Sequence, residues 1–374
     1  MKIIEGVYTT AKIMTDDVED YATSQIKSLC DNPVFTSDDI VCMPDIHPGK
    51  VSTIGFTSTI KNIYNGVMPI IIGNDIGCGI LAIKLKDKRF EPLKLDKVIM
   101  ENIPSGFNHH HKFDVFNKYC SVEKFTSDNV RITNNILLSF GTLGGGNHFI
   151  ELDKDPEDNS LWLLIHTGSR SLGSAICDTY LNIARKKRPE VPYELGVIFD
   201  KDLSSYLDDC RMANKFAMMN RSAIADTIIK KMKWHKSSIE IDTMHNMITT
   251  EENGTFIRKG SIQAHLNQDV VIPINARDGV IVGTGKGNPE WNYSAPHGAG
   301  RILNRSDVKT SHTLSEYKKI MKGIYSPSIN NDTLDEAPFA YRSIEQILPL
   351  IEDTITVHKV LKPVYNYKAG SKER

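Results

Sequence analysis

The sequence lacks long apolar runs, paired cysteine spacings and a leader-like N-terminus, and each absence excludes a class of protein. No apolar run approaches the roughly 20 residues of a transmembrane helix, and residues 1–6 lack the apolar core of a signal peptide. The six cysteines are scattered along the chain, which argues against the disulfide framework of small secreted domains. We therefore expect a cytoplasmic protein with no membrane partner.

The chain also has no excess of charge, no internal repeat and no low-complexity linker. Its net charge of −1 provides no general basic surface, so a nucleic-acid partner would need a local patch of lysine and arginine. The apolar and charged fractions, 40% and 24%, are those of an ordinary soluble globular protein. A length of 374 residues allows one elaborate domain or two.

Residues 69–83 contain the strongest candidate for a metal site. Two isoleucine-rich runs, 70–72 and 80–83, are too short for ordinary helices and predict buried strands. Glycines between them allow a sharp turn around Asp75 and Cys78, a hard carboxylate and a soft thiolate that suit a divalent transition metal. The alternative is an aspartate that caps its own turn and a cysteine that packs as a small apolar residue.

Two later segments each place a histidine beside a glycine-containing loop. Residues 144–146 are glycines that expose the backbone, and Asn147 and His148 follow at once. The next apolar strand ends at His166, four residues before Arg170. One such histidine is usually a core residue, but two beside loops suited to phosphate predict a site.

Two other loops contain polar residues with weaker signals. Asp45 and His47 lie in a segment broken by proline and glycine after a strand, where a turn with a capping aspartate is the alternative. Residues 109–111 are three consecutive histidines, but adjacent side chains diverge, so a solvated loop is favoured over a metal cluster.

Two more histidines are candidates in the second half of the chain. His245 lies in a segment without helical periodicity. His297 stands between Pro296 and Gly298, where a bulky substrate can approach its ring, and Arg301 follows as a phosphate ligand. The alternative for His297 is a cap on the helix that follows.

The remaining periodicity predicts the scaffold. Residues 202–234 form the longest amphipathic pattern and predict a helix with a structural role. Residues 270–283 predict two strands joined by a turn, and 361–368 a strand that ends at Lys368.

One carboxylate, one thiolate and three imidazoles can together hold one metal ion, or two if the thiolate bridges. These candidate ligands are Asp75, Cys78, His148, His166 and His245. Two adjacent ions are suited to phosphoryl transfer. The softness of the donors alone favours Zn²⁺. A histidine that is not a ligand, such as His297, can act as a general acid or base or as a nucleophile.

Seven ordered motifs between Val41 and Lys368 resemble those of the RtcB family of RNA ligases. They are Met43-Pro-Asp-Ile-His47, Asn74-Asp-Ile-Gly-Cys-Gly79, Gly141-Thr-Leu-Gly-Gly-Gly-Asn-His-Phe-Ile-Glu151, His166-Thr-Gly-Ser-Arg170, His297-Gly-Ala-Gly-Arg301, Asp335-Glu-Ala-Pro338 with Ala340-Tyr341, and Lys362-Pro363 with Lys368. The resemblance implies an α+β fold with central mixed β-sheets flanked by helices, as a single catalytic domain over residues 1–374.

RtcB enzymes use GTP and Mn²⁺ to join an RNA 3′-phosphate or 2′,3′-cyclic phosphate to a 5′-hydroxyl. The resemblance implies that His297 becomes guanylylated, that an RNA-ppG intermediate follows, and that the five candidate ligands bind two Mn²⁺ with Cys78 as the bridge. It implies nucleotide contacts from Asn147, Glu151, Tyr341 and Lys368. It implies phosphate or RNA contacts from Arg170 and Arg301, together with Asp45 and His47.

One departure concerns the nucleotide pocket. Where typical members have Pro-Gly-Ser-Met-Gly, this chain has Pro273-Ile-Asn-Ala-Arg-Asp-Gly279. The resemblance therefore does not assign nucleotide contacts to this loop. We expect a divergent bacterial branch that acts in RNA repair rather than transfer-RNA splicing, with an archease-like activator or a release-factor-like protein as a partner. Two other functions remain as alternatives: a metal-dependent phosphohydrolase of RNA ends and a non-catalytic RNA-binding relative.

Overall fold

The protein is an α+β structure, seen here as a computed structural model that describes residues 1–121 and 125–369. Its strands are β1 (Lys2–Glu5), β2 (Thr10–Ile13), β3 (Ile40–His47), β4 (Ile54–Thr59), β5 (Gly79–Leu85), β6 (Phe149–Lys154), β7 (Leu161–Thr167), β8 (Lys236–Met244), β9 (Asn246–Glu251), β10 (Gly254–Lys259), β11 (Ser261–Gln263), β12 (Asp269–Asn275), β13 (Gly279–Gly285), β14 (Ser294–Pro296) and β15 (Ile355–Lys368). Its α-helices are α1 (Asp20–Cys30), α2 (Pro69–Ile72), α3 (Pro92–Asn102), α4 (Asp114–Tyr119), α5 (Asn134–Leu138), α6 (Ser171–Lys187), α7 (Asp200–Met232), α8 (Arg305–Ser311), α9 (Leu314–Ile320) and α10 (Ile344–Ile351).

Two large sheets form the centre of the fold. One has the strand order β12-β13-β15-β6-β7-β5-β8, and every neighbouring pair in it is antiparallel. The other has the order β1-β2-β3-β4-β10-β9 and is mixed, because β2 runs parallel to β3. Strands β11 and β14 pair separately. The prediction of an α+β fold with central sheets and flanking helices is confirmed.

The seven-stranded sheet separates two apolar layers because its side chains alternate between faces. Leu81 and Ile83 of β5 pack against helices α3 and α7. Ile80 and Ala82 point the other way, into a second cluster with β7, β12 and β13. The helices therefore cover one face, and the ends of the strands remain available for a site.

Helix α7 confirms the predicted long helix to within two residues at each end. Its 33 residues end at Met232, and the next residue, Lys233, adopts the left-handed conformation common after helix C-termini. The hairpin of β12 and β13 confirms the prediction for 270–283, and β15 confirms a strand at 361–368 while starting earlier, at Ile355.

The prediction of a strand at 70–72 is wrong, because these residues form the single turn α2. Pro69 occupies the first helical turn, where its fixed φ favours a helix and its missing N–H costs nothing. Gly73 then ends the turn with a φ of +75°, which a glycine adopts without strain. The second run, 80–83, lies in β5 as predicted.

Within residues 1–121 and 125–369, no helix combines the length and the apolar character needed to cross a bilayer.

Candidate active site

Four strand ends meet at one edge of the seven-stranded sheet. Because the neighbouring strands are antiparallel, the starts of β5 and β6 lie beside the ends of β7 and β8. Cys78 precedes β5, His148 precedes β6, His166 is near the end of β7, and His245 follows β8. The fold thus gathers residues that are far apart in the sequence into one place.

The candidate ligands are within contact distance of one another. Sγ of Cys78 lies 3.3 Å from Nε2 of His166 and 3.5 Å from Nε2 of His148. Oδ2 of Asp75 lies 3.0 Å from Nε2 of His148. Two sets of donor atoms, each within 4.8 Å, result: Cys78 with His166 and His245, and Cys78 with Asp75 and His148. Cys78 belongs to both sets, which is the arrangement that a bridging thiolate requires.

The protonation of these groups fits metal binding. Burial holds the pKa values of His166 and His245 well below the usual range, so both imidazoles are neutral and have a free lone pair. Desolvation opposes ionisation of Asp75, but the charge and hydrogen bond of His148 keep the pKa of that carboxyl low. Burial raises the pKa of the Cys78 thiol, so a thiolate there needs a nearby cation. The donor set therefore fits two adjacent divalent cations.

Helix α7 holds the loops that contain these ligands. The guanidinium of Arg221 donates to the carbonyl oxygens of Gly77 and Thr167, each at 2.8 Å, and forms two hydrogen bonds with Asp242. The neighbouring Asn220 side chain bonds to the 141–142 turn and to Gly168. The predicted structural role of this helix thus includes the placement of the metal ligands.

Gly168 is required next to Asp75. A Cβ atom at this position would lie 2.1 Å from Oδ1 of Asp75, well inside van der Waals contact. Only glycine therefore leaves room for the carboxylate after the end of β7.

A line of four imidazoles leads from the ligands to His297. The ring centroids are 5.3 Å apart for His148 and His166, 5.2 Å for His166 and His245, and 4.8 Å for His245 and His297. Nδ1 of His297 lies 2.7 Å from Oδ2 of Asp45, which is fully buried on β3. A carboxylate can only accept, so Nδ1 donates and the lone pair of Nε2 is left for chemistry.

His47, on the same strand, is held in one orientation. Its Nδ1 donates to the backbone oxygen of Asp45 at 2.9 Å. Burial, with the neighbouring His297 and Arg301, lowers the pKa of His47 to about 4. His47 is therefore a neutral imidazole at the edge of the pocket that His297 faces.

A single pocket joins His297 to the candidate nucleotide residues. Its lining includes His47, Asn147, Phe149, Glu151, His166, His245, Pro273, Asn275, Ala276, His297, Arg301, Arg305, Glu336, Tyr341, Asn366 and Lys368. Asn275 and Ala276 belong to the divergent loop at 273–279, so this loop forms part of the pocket wall. All four candidate nucleotide contacts lie in the same cavity as His297.

Two buried carboxyl groups mark opposite parts of this pocket. Glu151 accepts a hydrogen bond from Nδ2 of Asn366, its partner across β6 and β15, and burial raises the pKa of Glu151 to about 7. Glu336 accepts from Lys368 and from the hydroxyl of Tyr341. Burial opposes its ionisation, but the charges of Lys368 and Arg305 lower the pKa of Glu336 to about 2.

Comparison with known proteins decides the family. The family described as tRNA-splicing ligase RtcB matches residues 25–131 and 120–369. The chain belongs to the RtcB family. It is 28% identical to the RNA-splicing ligase RtcB of Escherichia coli strain K12, with 93% of this chain and 94% of that protein covered. It is also 28% identical to RNA-splicing ligase RtcB2 of E. coli strain ATCC 25922, with 99% of this chain and 97% of that protein covered. Its identity to the tRNA-splicing ligase RtcB of Nanoarchaeum equitans is 26%, with 93% of this chain and 91% of that protein covered.

In this RtcB-family chain two of the four predicted phosphate or RNA contacts lie outside the pocket that contains His297. Asp45 is behind His297, where it can orient the ring without touching a ligand. Arg170 lies against the glycine turn, since a Cβ atom on Gly144 would fall 2.1 Å from its guanidinium. Its Nε donates to the hydroxyl of Thr142 at 3.3 Å. Arg170 is therefore closer to the metal ligands than to the nucleotide residues.

Two pocket residues of this RtcB-family chain were not identified from the sequence. Asn366 follows from alternation along β15, because it shares a face with Lys368. Glu336 is part of a quoted motif, but its contacts with Arg301, Arg305 and Lys368 depend on the tertiary fold. The three histidines at 109–111 are not among the potential metal groups of the described residues.

Proposed function

We propose that this protein is an RNA ligase that uses GTP and two Mn²⁺ ions to join an RNA 3′-phosphate or 2′,3′-cyclic phosphate to a 5′-hydroxyl. The observation that carries the proposal is the position of His297. Its Nδ1 is bound to Asp45, and its ring is next to the metal-ligand candidate His245 in the pocket that contains Glu151 and Lys368. A phosphohydrolase that needs only the metal ligands has no use for such an oriented imidazole.

The buried carboxyl of Glu151 supports guanine as the base. When ionised, Glu151 can accept hydrogen bonds from N1–H and the exocyclic amino group of guanine. Adenine has no N1–H, so it would leave part of the carboxylate without a partner, which is costly in a buried site. Asn366 holds Glu151 in place, and Asn147 lines the same pocket, with its backbone oxygen 3.2 Å from Nδ1 of the candidate ligand His166.

A group of cations supports binding of the nucleotide phosphates and RNA. Arg301, Arg305 and Lys368 all contact the carboxylate of Glu336, as does the hydroxyl of Tyr341. Glu336 thus holds these cations together at the pocket wall, where guanidinium groups can bind phosphate oxygens in pairs. Loss of this carboxylate would remove the anionic partner that the three cations share, although Arg301 and Arg305 would keep their contacts with residue 335.

His297 would perform the first covalent step. Nε2 of His297 attacks the α-phosphorus of GTP, a P–N bond forms, and the P–O bond to the leaving pyrophosphate breaks. Asp45 accepts the Nδ1 hydrogen bond and stabilises the ring as positive charge develops on it. The GMP group then passes from His297 to an oxygen of the RNA 3′-phosphate. Attack of the 5′-hydroxyl oxygen on that 3′-phosphorus forms the new diester and releases GMP and a proton.

Asp75, Cys78, His148, His166 and His245 would hold the two ions. When bound, such ions supply Lewis-acid neutralisation of charge on phosphoryl oxygens. The residues of the pocket range from His47 to Lys368, which supports a single catalytic domain.

Incubation with α-labelled GTP and Mn²⁺, followed by a denaturing gel, tests the proposal. We expect label on the wild type and none on His297→Ala. His265→Ala is a matched control, because His265 is half-buried outside the pocket and its Nε2 lies 2.8 Å from Oε2 of Glu251. Label retained by His297→Ala would refute the assigned nucleophile. No label on any variant, with RNA phosphate released by the wild type, would favour the phosphohydrolase.

A further inference from the structure

The loop at residues 104–112 has no role in the proposed ligation steps. Its backbone is nevertheless hydrogen-bonded to the glycine turn beside the candidate metal ligands. The N–H of Leu143 donates to the carbonyl oxygen of Pro104 at 2.9 Å. The N–H of Gly106 donates to the carbonyl oxygen of Gly144, also at 2.9 Å. The position of the loop is therefore tied to the position of the glycine turn.

This connection continues directly to a candidate metal ligand. The carbonyl oxygen of Leu143 accepts a hydrogen bond from Nδ1 of His148 at 2.9 Å. On its other side the loop is fastened by His110, whose ring is bound to the carbonyl oxygen of Gly141 at 3.1 Å. The His110 side chain is therefore engaged within the protein and helps to fix the loop.

The tip of the loop presents an aromatic ring to solvent. Phe107 is 87% exposed, the highest fraction of any large apolar side chain in the described part of the chain. An isolated exposed apolar residue needs no explanation. Here, however, the ring follows Gly106, whose N–H is bonded to the glycine turn that precedes the candidate ligand His148, and His109 and the exposed His111 follow on the same loop.

The charge around the ring favours a polyanion. Lys112 is exposed at the end of the loop, and Asp114 is the one acidic residue between positions 103 and 119. The guanidinium of Arg170 lies against Gly144, between the loop and Asp75. The loop therefore has an exposed cation at its end, and a second cation lies against the glycine turn to which the loop is hydrogen-bonded.

We propose that this loop is the platform for the RNA strand that ends in the 3′-phosphate. Phe107 stacks on a base near the end, Lys112 contacts the backbone, and Arg170 binds phosphate where the strand enters the metal site. Aromatic stacking tolerates every base, which suits an enzyme that binds broken ends rather than one sequence. The inference rests on the proposed ligase function, since it assigns a surface to the substrate of that reaction.

Fluorescence anisotropy with a labelled single-stranded 10-nucleotide RNA carrying a 3′-phosphate tests the platform. Phe107→Ala should weaken binding about tenfold, the loss expected for one stacked base. Phe107→Trp should restore wild-type affinity. Leu93→Ala is the matched control, because Leu93 is 75% exposed on α3 and should leave affinity unchanged. Lys112→Gln should lower the salt dependence by about one phosphate contact.

Equal affinities of the wild type and Phe107→Ala would overturn the platform and leave a protein partner as the occupant of the exposed ring. Full affinity in Phe107→Leu would overturn the stacking role, because leucine retains apolar surface without a flat ring. A wild type that does not bind this RNA also refutes the platform. Failure of the ligase proposal is seen separately, as absence of label transfer from GTP to the wild type.

Discussion

Oδ2 of Asp45 lies 2.7 Å from Nδ1 of His297, and the carboxylate is fully buried on β3. This contact selects the tautomer of His297 whose Nε2 has a free lone pair. An aspartate in this position would orient the proposed nucleophile and stabilise the charge that the ring acquires in the proposed reaction.

Asp45→Asn should therefore slow guanylylation of His297 by about 10³- to 10⁴-fold, the effect of a wrong imidazole tautomer in comparable catalytic pairs. Single-turnover labelling with GTP measures the rate, and bound Mn²⁺ should be unchanged because Asp45 is not a ligand. Asp38→Asn is a suitable control, since Asp38 is also buried but bonds to the backbone of Lys61. Labelling at the wild-type rate in Asp45→Asn would contradict the orienting role.

The shared position of Cys78 in both donor sets leads to a prediction about metal stoichiometry. Wild-type protein should bind two Mn²⁺, and Cys78→Ala should bind at most one, because each set loses its common thiolate. Metal analysis after gel filtration measures the ratio. Cys120→Ala, at a half-buried cysteine outside the site, should retain both ions. Two ions in Cys78→Ala would show that the thiolate does not bridge.

Much of the scaffold around these ligands follows from local sequence. Apolar runs followed by glycine predict the strands that end at His166 and begin after Cys78, and a long amphipathic pattern predicts α7. The strand prediction for 70–72 was wrong because three isoleucines favour a strand. Pro69 before them and Gly73 after them favour a helical turn instead. Short apolar runs are decided by such flanking residues.

The contacts that complete the site depend on the tertiary fold. Arg221 is one of several charged residues on α7, and no local pattern indicates that it reaches the carbonyl oxygens of Gly77 and Thr167. The same holds for Glu336, whose three cations come from two distant segments, 301–305 and the end of β15. The candidate ligands could be predicted from their residue types. The hydrogen bonds and ion pairs that position the site could not, because they form only in the folded protein.

The buried carboxyl of Glu151 predicts a loss of stability as the pH rises. Burial raises its pKa to about 7 from 4.5, and burial also raises the pKa of the neighbouring Asp153. Between those pH values the folded protein binds more protons than the unfolded chain. The contribution of these carboxyls to the free energy of unfolding should therefore be greatest below about pH 4.5, and the Glu151 part should fall by about 3 kcal/mol toward pH 7 and above.

Urea unfolding at pH 5 and pH 8 measures this difference. The double variant Glu151→Gln/Asp153→Asn should lose most of the fall, because neither amide titrates. Glu157→Gln, at an exposed carboxyl, should behave as the wild type. An equal fall in the wild type and the double variant would show that these carboxyls are ionised in the folded protein.

Arg221 is expected to be the residue of α7 with the largest effect on both stability and metal binding. Its buried guanidinium pairs with Asp242 and bonds to the carbonyl oxygens beside Cys78 and His166. Arg221→Ala leaves the carboxylate and both carbonyls without a partner, which should cost about 3–5 kcal/mol in the free energy of unfolding. Arg211→Ala removes an exposed guanidinium on the same helix and should cost about 0–1 kcal/mol.

Urea unfolding compares the two variants, and Mn²⁺ retention should fall only for Arg221→Ala. If both variants lose the same free energy of unfolding, Arg221 does not support the ligand loops. A buried guanidinium that fixes the strand ends must cost more to remove than an exposed one.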